Sequence, residues 1–339
     1  MSGQADISVI MAAWHAADFI APAIRSVLSQ TGVSLELIVV DDASTDGTAE
    51  AALEAGGGDP RLRVERMASN GGPSVARNRA IDLASGRYLA VVDSDDSLEP
   101  GRLERLVTFA DDASADIVAD NMNRIDKLGA PGSSGTPFLS EAELSAPRRV
   151  SLADYLSPET ERCYGENLGY LKPLFRSATI REIGLRYDTR LRNSEDFYLV
   201  AGLLAEGAQM RLHPSRGYNY LVRPGSISHR LTPELTGAIL DANESFAKHY
   251  AHRFDAPARA AFNRRARDLQ NMHSFERVIA ALKSKSAVGV ASALGARPAA
   301  VAHIISRLSA IAAGKLKRSG RGQNRTEMIQ NASDQTAAQ

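Results

Sequence analysis

The sequence predicts an α/β fold in which helices cover both faces of a mostly parallel sheet. Strand-like and helix-like segments alternate through the first 120 residues, and most of the strand-like segments are largely apolar without strict alternation. The helix-like segments repeat apolar residues at the spacing of one helical face. Because a parallel sheet is buried on both faces, its strands read as near-continuous apolar runs, which is the pattern of most of these segments.

Five short segments rich in β-branched and aliphatic residues are the predicted strands. They are ISVIM (7–11), LELIVV (35–40), the weaker LRVERM (62–67), RYLAVV (87–92) and DIVAD (116–120). In such a sheet, ligands bind beyond the carboxyl ends of the strands. The residues that directly follow these segments are therefore the first candidates for a site.

The predicted helices lie between and after these strands. They span residues 18–30, 44–55, 73–86, 102–110, 151–156, 176–184 and 195–207. The third of them starts with a proline and ends in a glycine, the usual asymmetry of a helix. Residues 129–137 are a loop by composition, and the segment from about 232 is helical and basic. The tail from Ser319 has the composition of a disordered segment.

Charge is distributed unevenly along the chain. The 339 residues have a formal net charge of zero, yet residues 250–325 hold 15 Lys and Arg against three acidic residues. Residues 1–249 hold 25 Lys and Arg against 35 acidic residues. An acidic body with a basic end favours contact with an anionic surface or ligand. The single cysteine excludes an internal disulfide and no signal peptide is evident, so we expect a cytoplasmic protein.

Aspartates follow two of the predicted strands. Asp41 and Asp42 come directly after LELIVV, and Asp93, Asp95 and Asp96 follow RYLAVV. Turn chemistry alone explains a single acidic pair. Three acids beside an apolar strand, with a second pair at the same edge, fit a divalent cation (Mg²⁺ or Mn²⁺) that also binds substrate phosphates. In D-x-D the first and third side chains point the same way, so Asp93 and Asp95 can address one metal–phosphate unit.

Two common phosphate-binding loops are missing from the sequence. No G-x-x-x-x-G-K-[ST] occurs, and no G-x-G-x-x-G follows a strand. If the site binds a metal and a nucleotide diphosphate without either loop, the remaining reaction classes are phosphate transfer and sugar transfer. A nucleotidyltransferase is expected to carry a Gly-rich, basic loop after its first strand, where this chain has MAAWHAADF. A non-catalytic protein that binds sugar nucleotides is a third alternative.

Four stretches of the sequence carry a likeness to a known family. They are ISVIMAAWHAADFIAPAIRSVLSQT, LELIVVDDASTDGT, NGGPSVARNRAIDLASGRYLAVVDSDD and NSEDF. In this order they resemble bacterial family 2 glycosyltransferases, and especially exopolysaccharide enzymes such as the succinoglycan glucosyltransferases. The resemblance implies a GT-A type nucleotide-diphospho-sugar transferase fold at residues 1–230. It leaves a basic helical C-terminal region at 231–318 and a disordered tail at 319–339.

The resemblance also implies roles for particular side chains. It places contacts to the donor nucleotide at Ala12, Trp14, Asp41, Asp42, Arg77 and Asp93, and contacts to the donor sugar or diphosphate at Asp96, Glu195, Arg223 and Ser226. Asp95 is the expected metal ligand, and Asp196 is the expected catalytic base. After the first strand the family usually has Pro-x-Tyr-Asn, whereas this chain has Ala-Ala-Trp-His. Stacking by Trp14 would replace the usual aromatic residue, and His15 in place of the usual Asn leaves the choice of nucleobase open.

Asp196 has the chemistry that the base requires. The acceptor hydroxyl loses a proton as the diphosphate leaves, and one base without a second nucleophilic carboxylate implies single displacement with inversion. We expect Ser194 or Asn193 to cap the helix that starts here. The helix dipole lowers the pKa of Asp196, and we expect desolvation by the closed site and by neighbouring Glu195 to raise it again. The alternative is that Glu195–Asp196 only starts a helix. The implied reaction moves glucose from UDP-glucose to a glycan or a polyprenyl-diphosphate-linked oligosaccharide.

Two further segments have open interpretations. YNYLVRPGSISH (218–229) is predicted to be a loop that either folds over the donor diphosphate or simply connects two elements. HIISRLSAIAAGKLKR (303–318) predicts a basic amphipathic helix. Such a helix suits an inner-membrane surface, packing on the catalytic domain, or oligomerisation. Few aromatic residues accompany the basic ones, so nucleic acid is not an expected partner.

Overall fold

The computed structural model describes residues 5–126, 135–157, 168–222 and 231–309. Ten strands lie in these ranges and form one mixed sheet. They are β1 (Ile7–Ala13), β2 (Leu35–Asp41), β3 (Leu62–Arg66), β4 (Tyr88–Val91), β5 (Ser97–Leu98), β6 (Ile117–Ile125), β7 (Thr136–Pro137), β8 (Arg148–Val150), β9 (Leu174–Arg176) and β10 (Met210–Leu221).

The order of the sheet is β3-β2-β1-β4-β9-β6-β10-β5, with β7 paired to β6 and β8 paired to β10. Its longest pairings are parallel and join β10 to β6, β1 to β2, β2 to β3 and β1 to β4. The short β9 runs antiparallel to both β4 and β6, so those two strands point the same way. The predicted α/β class is confirmed.

The helices of the described residues follow the predicted positions closely in the first half of the chain. They are α1 (Ile20–Leu28), α2 (Thr48–Gly56), α3 (Pro73–Leu83), α4 (Arg102–Asp112), α5 (Leu152–Leu156), α6 (Ser177–Ile183), α7 (Glu195–Ala205), α8 (Pro233–Tyr250), α9 (Ala256–Lys283) and α10 (Ala287–Ala296), followed by helical residues 301–309. α1 shows why the periodicity worked, because its buried residues Ile20, Ala23, Ile24 and Val27 lie on one helical face.

Burial explains the unbroken apolar strands. In β1 every residue except Ala12 is buried, and in β2 every residue except Glu36 is buried. β3 lies at one edge of the sheet, and none of its residues is fully buried, which fits its weaker sequence signal. The central strands therefore form the core, and their carboxyl ends are the places where polar side chains can emerge.

Two predicted loops contain strand residues, while residues 129–134 and 223–229 of these loops lie outside the described ranges. Tyr218–Leu221 belongs to β10, not to a loop, and Thr136–Pro137 forms the short β7. The sequence of β10 is MRLHPSRGYNYL, and it does not predict a strand because Pro and Gly are unusual inside strands. Its register against β6 also shifts between His213 and Tyr218, so no simple alternation is visible. The short β5, β8 and β9 were not predicted either.

The chain divides into two compact units. The first comprises Met1–Leu231 with Gly237–Ala266, and the second comprises Thr232–Thr236 with Arg267–Gln339. Residues 237–266, which the sequence analysis assigned to the C-terminal region, thus group with the sheet. There Phe246, Tyr250, Phe254 and Phe262 join the main hydrophobic core.

The second unit has a small core of its own. It contains Phe275, Val278, Ala293, Ala300 and Ile304. In the described part of the chain no single helix has the length and hydropathy to cross a membrane. Ala287–Ala296 and Pro298–Ser309 meet those requirements only together, as a pair bent by 100°.

Candidate active site

The carboxyl ends of β1, β2 and β4 meet at one edge of the sheet. Ala13 at the end of β1 is paired with Asp41 at the end of β2, and β4 lies on the other side of β1. Asp42 directly follows β2, and the segment 93–96 follows β4 after Val92. The two acidic groups therefore leave the sheet at the same edge, where open α/β sheets bind ligands.

Asp42 stabilises the turn that precedes α3. Its carboxylate oxygens accept hydrogen bonds from the Gly71 and Gly72 amides, each at 2.7 Å, and the residue is buried. Gly72 has a φ of 87°, a backbone conformation that favours glycine. Asp42 thereby fixes the start of the helix that carries Arg77.

The neighbouring acid and the end of β1 complete this side of the edge. Asp41 is fully buried; its Oδ1 accepts from the Ser44 amide at 3.1 Å, and its Oδ2 lies 3.6 Å from Arg66 Nε. Ala12 is partly buried within β1. Trp14 is 49% exposed, and its ring stacks on His15 with centroids 4.5 Å apart. An exposed indole therefore stands two residues beyond Ala12, close to the end of β2.

The polar residues of the PSVARN stretch fix α3 to the segment before α7. The Ser74 hydroxyl donates to the Leu191 carbonyl at 2.9 Å. Asn78 donates to the Tyr187 carbonyl and accepts from the Tyr187 amide, both at 2.9 Å. Arg77, between them, packs 5.5 Å from the centre of the Tyr187 ring. These contacts hold Arg77 between the acids that follow β4 and those that begin α7.

Five ionisable side chains form what we call the charge cluster: Arg77, Lys172, Asp93, Glu195 and Asp196. Arg77 donates to Glu195 and, at 2.8 Å, to Asp93, and its Nη1 lies 3.5 Å from Asp196 Oδ1. Lys172 Nζ lies 2.9 Å from Asp93 Oδ2 and 2.8 Å from Asp196 Oδ2. Two cations thus join three carboxylates, which brings the D-x-D motif and the Glu-Asp motif into one network.

The pKa values of the cluster reflect its burial and its pairing. Burial acts to raise the pKa of Asp93, but the charges of Lys172 and Arg77 outweigh it and lower that pKa below its usual range. The pKa of Glu195 is raised, because burial outweighs its pairing with Arg77. The pKa values of Arg77 and Lys172 are raised, because the carboxylates outweigh the opposing effect of burial. Both side chains therefore remain charged at neutral pH.

Two expectations about Asp196 were wrong. Burial does act to raise its pKa, but Arg77 and Lys172 outweigh burial, so the pKa is lowered. Ser194 precedes α7 with a φ of 66° and makes no side-chain cap, since its hydroxyl donates to Asn193 Oδ1 at 3.1 Å. Asp196 is consequently an ionised carboxylate that ion pairs hold in place, not a base whose proton affinity is enhanced.

The remaining aspartates after β4 have different surroundings. Asp96 is fully buried; its Oδ2 accepts from the Tyr218 hydroxyl at 2.7 Å, and its Oδ1 accepts from the Leu221 amide at 2.9 Å. Burial raises its pKa, and the charges of Asp95 and Asp93 act in the same direction. A donor contact by Asp96 would have to compete with these two hydrogen bonds. Asp95 is partly exposed.

A divalent cation is compatible with this edge. Across the ranges that the structure describes, no group of three or more His, Cys, Asp and Glu side chains is arranged to hold a metal ion. Mg²⁺ and Mn²⁺ are hard cations that take one or two carboxylates together with substrate phosphates. Asp93 already pairs through both oxygens with Arg77 and Lys172. Asp95, which the sequence resemblance assigns to the metal, is partly exposed at this edge.

Sequence reasoning missed Lys172. The available signal was one lysine within the apolar stretch GYLKPLFR, because such a lysine is buried only with a carboxylate partner. Nothing in the sequence identified that partner. Two predicted contacts, Arg223 and Ser226, lie outside the described residues.

Comparison with known proteins gives both a family and close relatives. The model of "Glycosyl transferase family 2" matches residues 8–177. The succinoglycan biosynthesis protein ExoO of Rhizobium meliloti (strain 1021) is 38% identical over 299 residues, covering 88% of this chain and 84% of that protein. ExoU of the same organism is 34% identical over 323 residues, covering 93% and 90%.

Two solved structures share the fold at low sequence identity. The S. aureus TarS 1-349 complex with UDP-GlcNAc superposes with a TM-score of 0.56 and 17% identity, covering 85% of this chain and 90% of that one. The mannosyltransferase PcManGT from Pyrobaculum calidifontis, in complex with GDP-Man and Mn²⁺, superposes with a TM-score of 0.56 and 18% identity, covering 92% and 81%.

Proposed function

This chain belongs to glycosyl transferase family 2, and we propose that it transfers a sugar from a nucleotide-diphosphate donor to a glycan acceptor with inversion. Its fold is the GT-A fold, as the sequence resemblance implied. Family membership favours sugar transfer over the nucleotidyl transfer considered above. The likeness to two succinoglycan biosynthesis proteins over most of the chain supports a role in exopolysaccharide assembly.

The observation that carries this proposal is the charge cluster. Asp93 follows β4 and Asp196 lies in the first turn of α7, about a hundred residues later, yet Lys172 bridges their carboxylates at 2.9 and 2.8 Å. The acid proposed to contact the donor thus lies beside the acid proposed to act on the acceptor. Such proximity is what a direct displacement at the anomeric carbon requires.

We propose Asp196 as the general base. Its carboxylate is ionised at neutral pH because its pKa is lowered, so it can accept the proton of an acceptor hydroxyl. Glu195 stays beside Arg77 and helps to position that arginine. With Asp196 as the acting base, attack on an α-linked sugar nucleotide gives a β-glycoside.

For the donor we propose UDP-glucose. Trp14 offers an exposed face for stacking a base, close to Asp41 and Asp42. Arg77 and Asp93 would lie toward the ribose and diphosphate, and Arg223 and Ser226 are further proposed contacts, whereas the fully buried Asp96 keeps its hydrogen bonds to Tyr218 and Leu221. Structures with UDP-GlcNAc and with GDP-Man share the fold, so the fold alone does not select the base or the sugar. We therefore propose uridine from the exposed Trp14 ring and glucose from the likeness to the succinoglycan proteins.

Asp95 would hold Mg²⁺ or Mn²⁺ together with the donor diphosphate. Such a cation, when bound, stabilises the negative charge on the leaving diphosphate as a Lewis acid. The chain's own part is to keep Asp95 at the sheet edge, where the buried Asp96 anchors the motif to β10.

Metal-dependent donor binding follows from this assignment. UDP-glucose with Mn²⁺ is expected to raise the free energy of unfolding by about 2.7 kcal/mol at a hundredfold excess over its dissociation constant. In thermal-shift measurements, Asp95→Asn is expected to lose most of the stabilisation by UDP-glucose that depends on Mn²⁺. The exposed Asp112, at the end of α4, provides the control Asp112→Asn. If EDTA changes neither donor binding nor transfer, the metal role of Asp95 is wrong.

We also propose that the acceptor is a polyprenyl-diphosphate-linked oligosaccharide, reached from the cytoplasm at the inner membrane surface. The basic end of the chain supports this partner, because residues 277–325 contain ten Lys and Arg and no acidic residue. Exposed apolar side chains in the same region, Leu282, Val288 and Ile305, add the second feature of interfacial helices.

Vesicle binding tests the membrane contact. The full chain is expected to co-sediment with vesicles containing anionic phosphatidylglycerol and to be released by salt, since each basic residue contributes about 1 kcal/mol near such a surface. Lys283→Glu with Lys285→Glu is expected to weaken binding at least tenfold. Arg63→Glu with Arg181→Glu, at exposed sites of the first unit, serves as the charge-matched control. Equal binding to neutral phosphatidylcholine vesicles would contradict the proposal.

A further inference from the structure

Lys172 is a buried cation placed between two functional motifs. It lies just before the central strand β9 and is 8% exposed. Its ammonium group lies 2.9 Å from Asp93 and 2.8 Å from Asp196, and each distance is to the Oδ2 atom. The Oδ1 atom of each carboxylate faces Arg77, at 2.8 Å for Asp93 and 3.5 Å for Asp196. Both carboxylates are therefore fixed through both of their oxygens.

A second buried ion pair holds the backbone of Lys172. Arg102 donates to the Lys172 carbonyl at 2.6 Å and through Nε to Asp120 at 3.0 Å. Arg102 and Asp120 are each only 1% exposed, and Asp120 also accepts from the Gly217 amide at 2.9 Å. A Cβ atom at Gly217 would approach Asp120 Oδ2 to 2.5 Å, so only glycine fits this contact. Hydrogen bonds thus connect the backbone of Lys172 through Arg102 of α4 and Asp120 of β6 to Gly217 of β10.

The charge balance makes this lysine necessary. The charge cluster holds two cations and three carboxylates, so its net charge is −1. Without Lys172 one cation would face three largely buried carboxylates, and both Oδ2 atoms would lose their charged partner. Buried carboxylates that lose a partner either take up a proton or move toward water. Either change would misplace the Asp196 carboxylate or remove its ability to accept a proton.

We propose that Lys172 is a positioning residue that orients the Asp196 carboxylate for the acceptor and ties it to the donor-motif acid Asp93. This inference rests on the proposed role of Asp196 as the base. Lys172 acts through Asp196 and transfers no proton itself. Its fixed backbone and its two short ion pairs make the position of the base depend on the position of the donor motif.

Steady-state kinetics of the full chain test this role. Lys172→Met, a charge-free variant of similar length, is expected to lower kcat about 10- to 100-fold, because a small misplacement of a reacting group has effects of that size. The donor KM is expected to change much less, since Arg77 still holds Asp93. Lys172→Arg, which keeps the charge, is expected to restore part of kcat. Lys248→Met, at an exposed position of α8, is the matched control.

A purely structural role predicts a different result. It would lower the melting temperature and the folded fraction of Lys172→Met but leave kcat per folded molecule unchanged in both Lys172→Met and Lys172→Arg. That result would overturn the proposal. UDP binding with Mn²⁺, measured by calorimetry, gives the folded and donor-competent fraction for the correction. If Lys172→Met does not fold, Lys172→Gln carries the same comparison.

A double-mutant cycle separates this inference from the proposed function. In the Asp196→Asn background, Lys172→Met is expected to lower the residual rate less than about threefold, because residues that act through one group are not additive. If it lowers that rate by the same factor as in the wild type, Lys172 does not act through Asp196 and the inference is wrong. If Asp196→Asn alone transfers sugar at the wild-type rate, the proposed base is wrong, whatever Lys172 does.

Discussion

Replacement of Asp196 by asparagine is expected to lower kcat for sugar transfer by about 10²- to 10⁴-fold, the usual contribution of a general base. Asparagine keeps the size of the side chain and a hydrogen-bonding oxygen but cannot accept the acceptor proton. The charge cluster becomes neutral, so the fold is expected to persist and donor binding to change little. The measurement is initial-rate transfer from UDP-glucose, normalised to donor-competent protein by UDP titration.

The control for this variant is Asp112→Asn, which removes a carboxylate from an exposed position at the end of α4. It is expected to leave both kcat and donor KM unchanged. If Asp196→Asn transfers sugar at the wild-type rate, the base lies elsewhere, and the charge cluster holds the fold without taking part in proton transfer.

Arg77→Met is expected to lower the free energy of unfolding by about 3–5 kcal/mol, the cost of removing one partner from a buried ion pair. Arg77 is 5% exposed and contacts Asp93, Glu195 and Asp196, so its loss leaves Lys172 as the remaining cation of the charge cluster. Transfer is expected to fall as well, because the three carboxylates are no longer fixed. Denaturant titration measures the stability and initial rates measure the transfer.

The same helix offers a matched control. Arg79 lies on α3 and pairs with Glu65 at 2.6 Å, but its side chain is 43% exposed. Arg79→Met is expected to change the free energy of unfolding by less than about 1 kcal/mol, the usual contribution of a surface ion pair. Equal stability losses in the two variants would show that the charge cluster does not stabilise the fold.

The position of the site could be predicted from the sequence because strand ends determine it. Apolar runs located β1, β2 and β4, and the rule for parallel sheets placed Asp41, Asp42 and the segment 93–96 at one edge. The family resemblance added Arg77 and Glu195–Asp196. Their meeting with Asp93 depends on the hydrogen bonds of Ser74 and Asn78, which no sequence pattern reveals.

The different surroundings of the acids could not be predicted from the sequence. Three aspartates within four residues look alike in sequence, yet Asp93 pairs with two cations, Asp96 is buried against β10, and Asp95 is partly exposed. The difference arises because β10 and Lys172 come from distant parts of the chain. β10 escaped prediction because its proline, its glycine and its register shifts disrupt the pattern of a strand.

The anomeric configuration of the product shows directly whether transfer proceeds with inversion. The full chain would be incubated with UDP-glucose, Mn²⁺ and lipid-linked acceptor from an exopolysaccharide-producing bacterium, and the new linkage read by NMR. We predict a β-linkage formed by wild-type protein and lost in Asp196→Asn, as single displacement with Asp196 as the base requires. An α-linked product would contradict inversion and, with it, the mechanism proposed for the charge cluster.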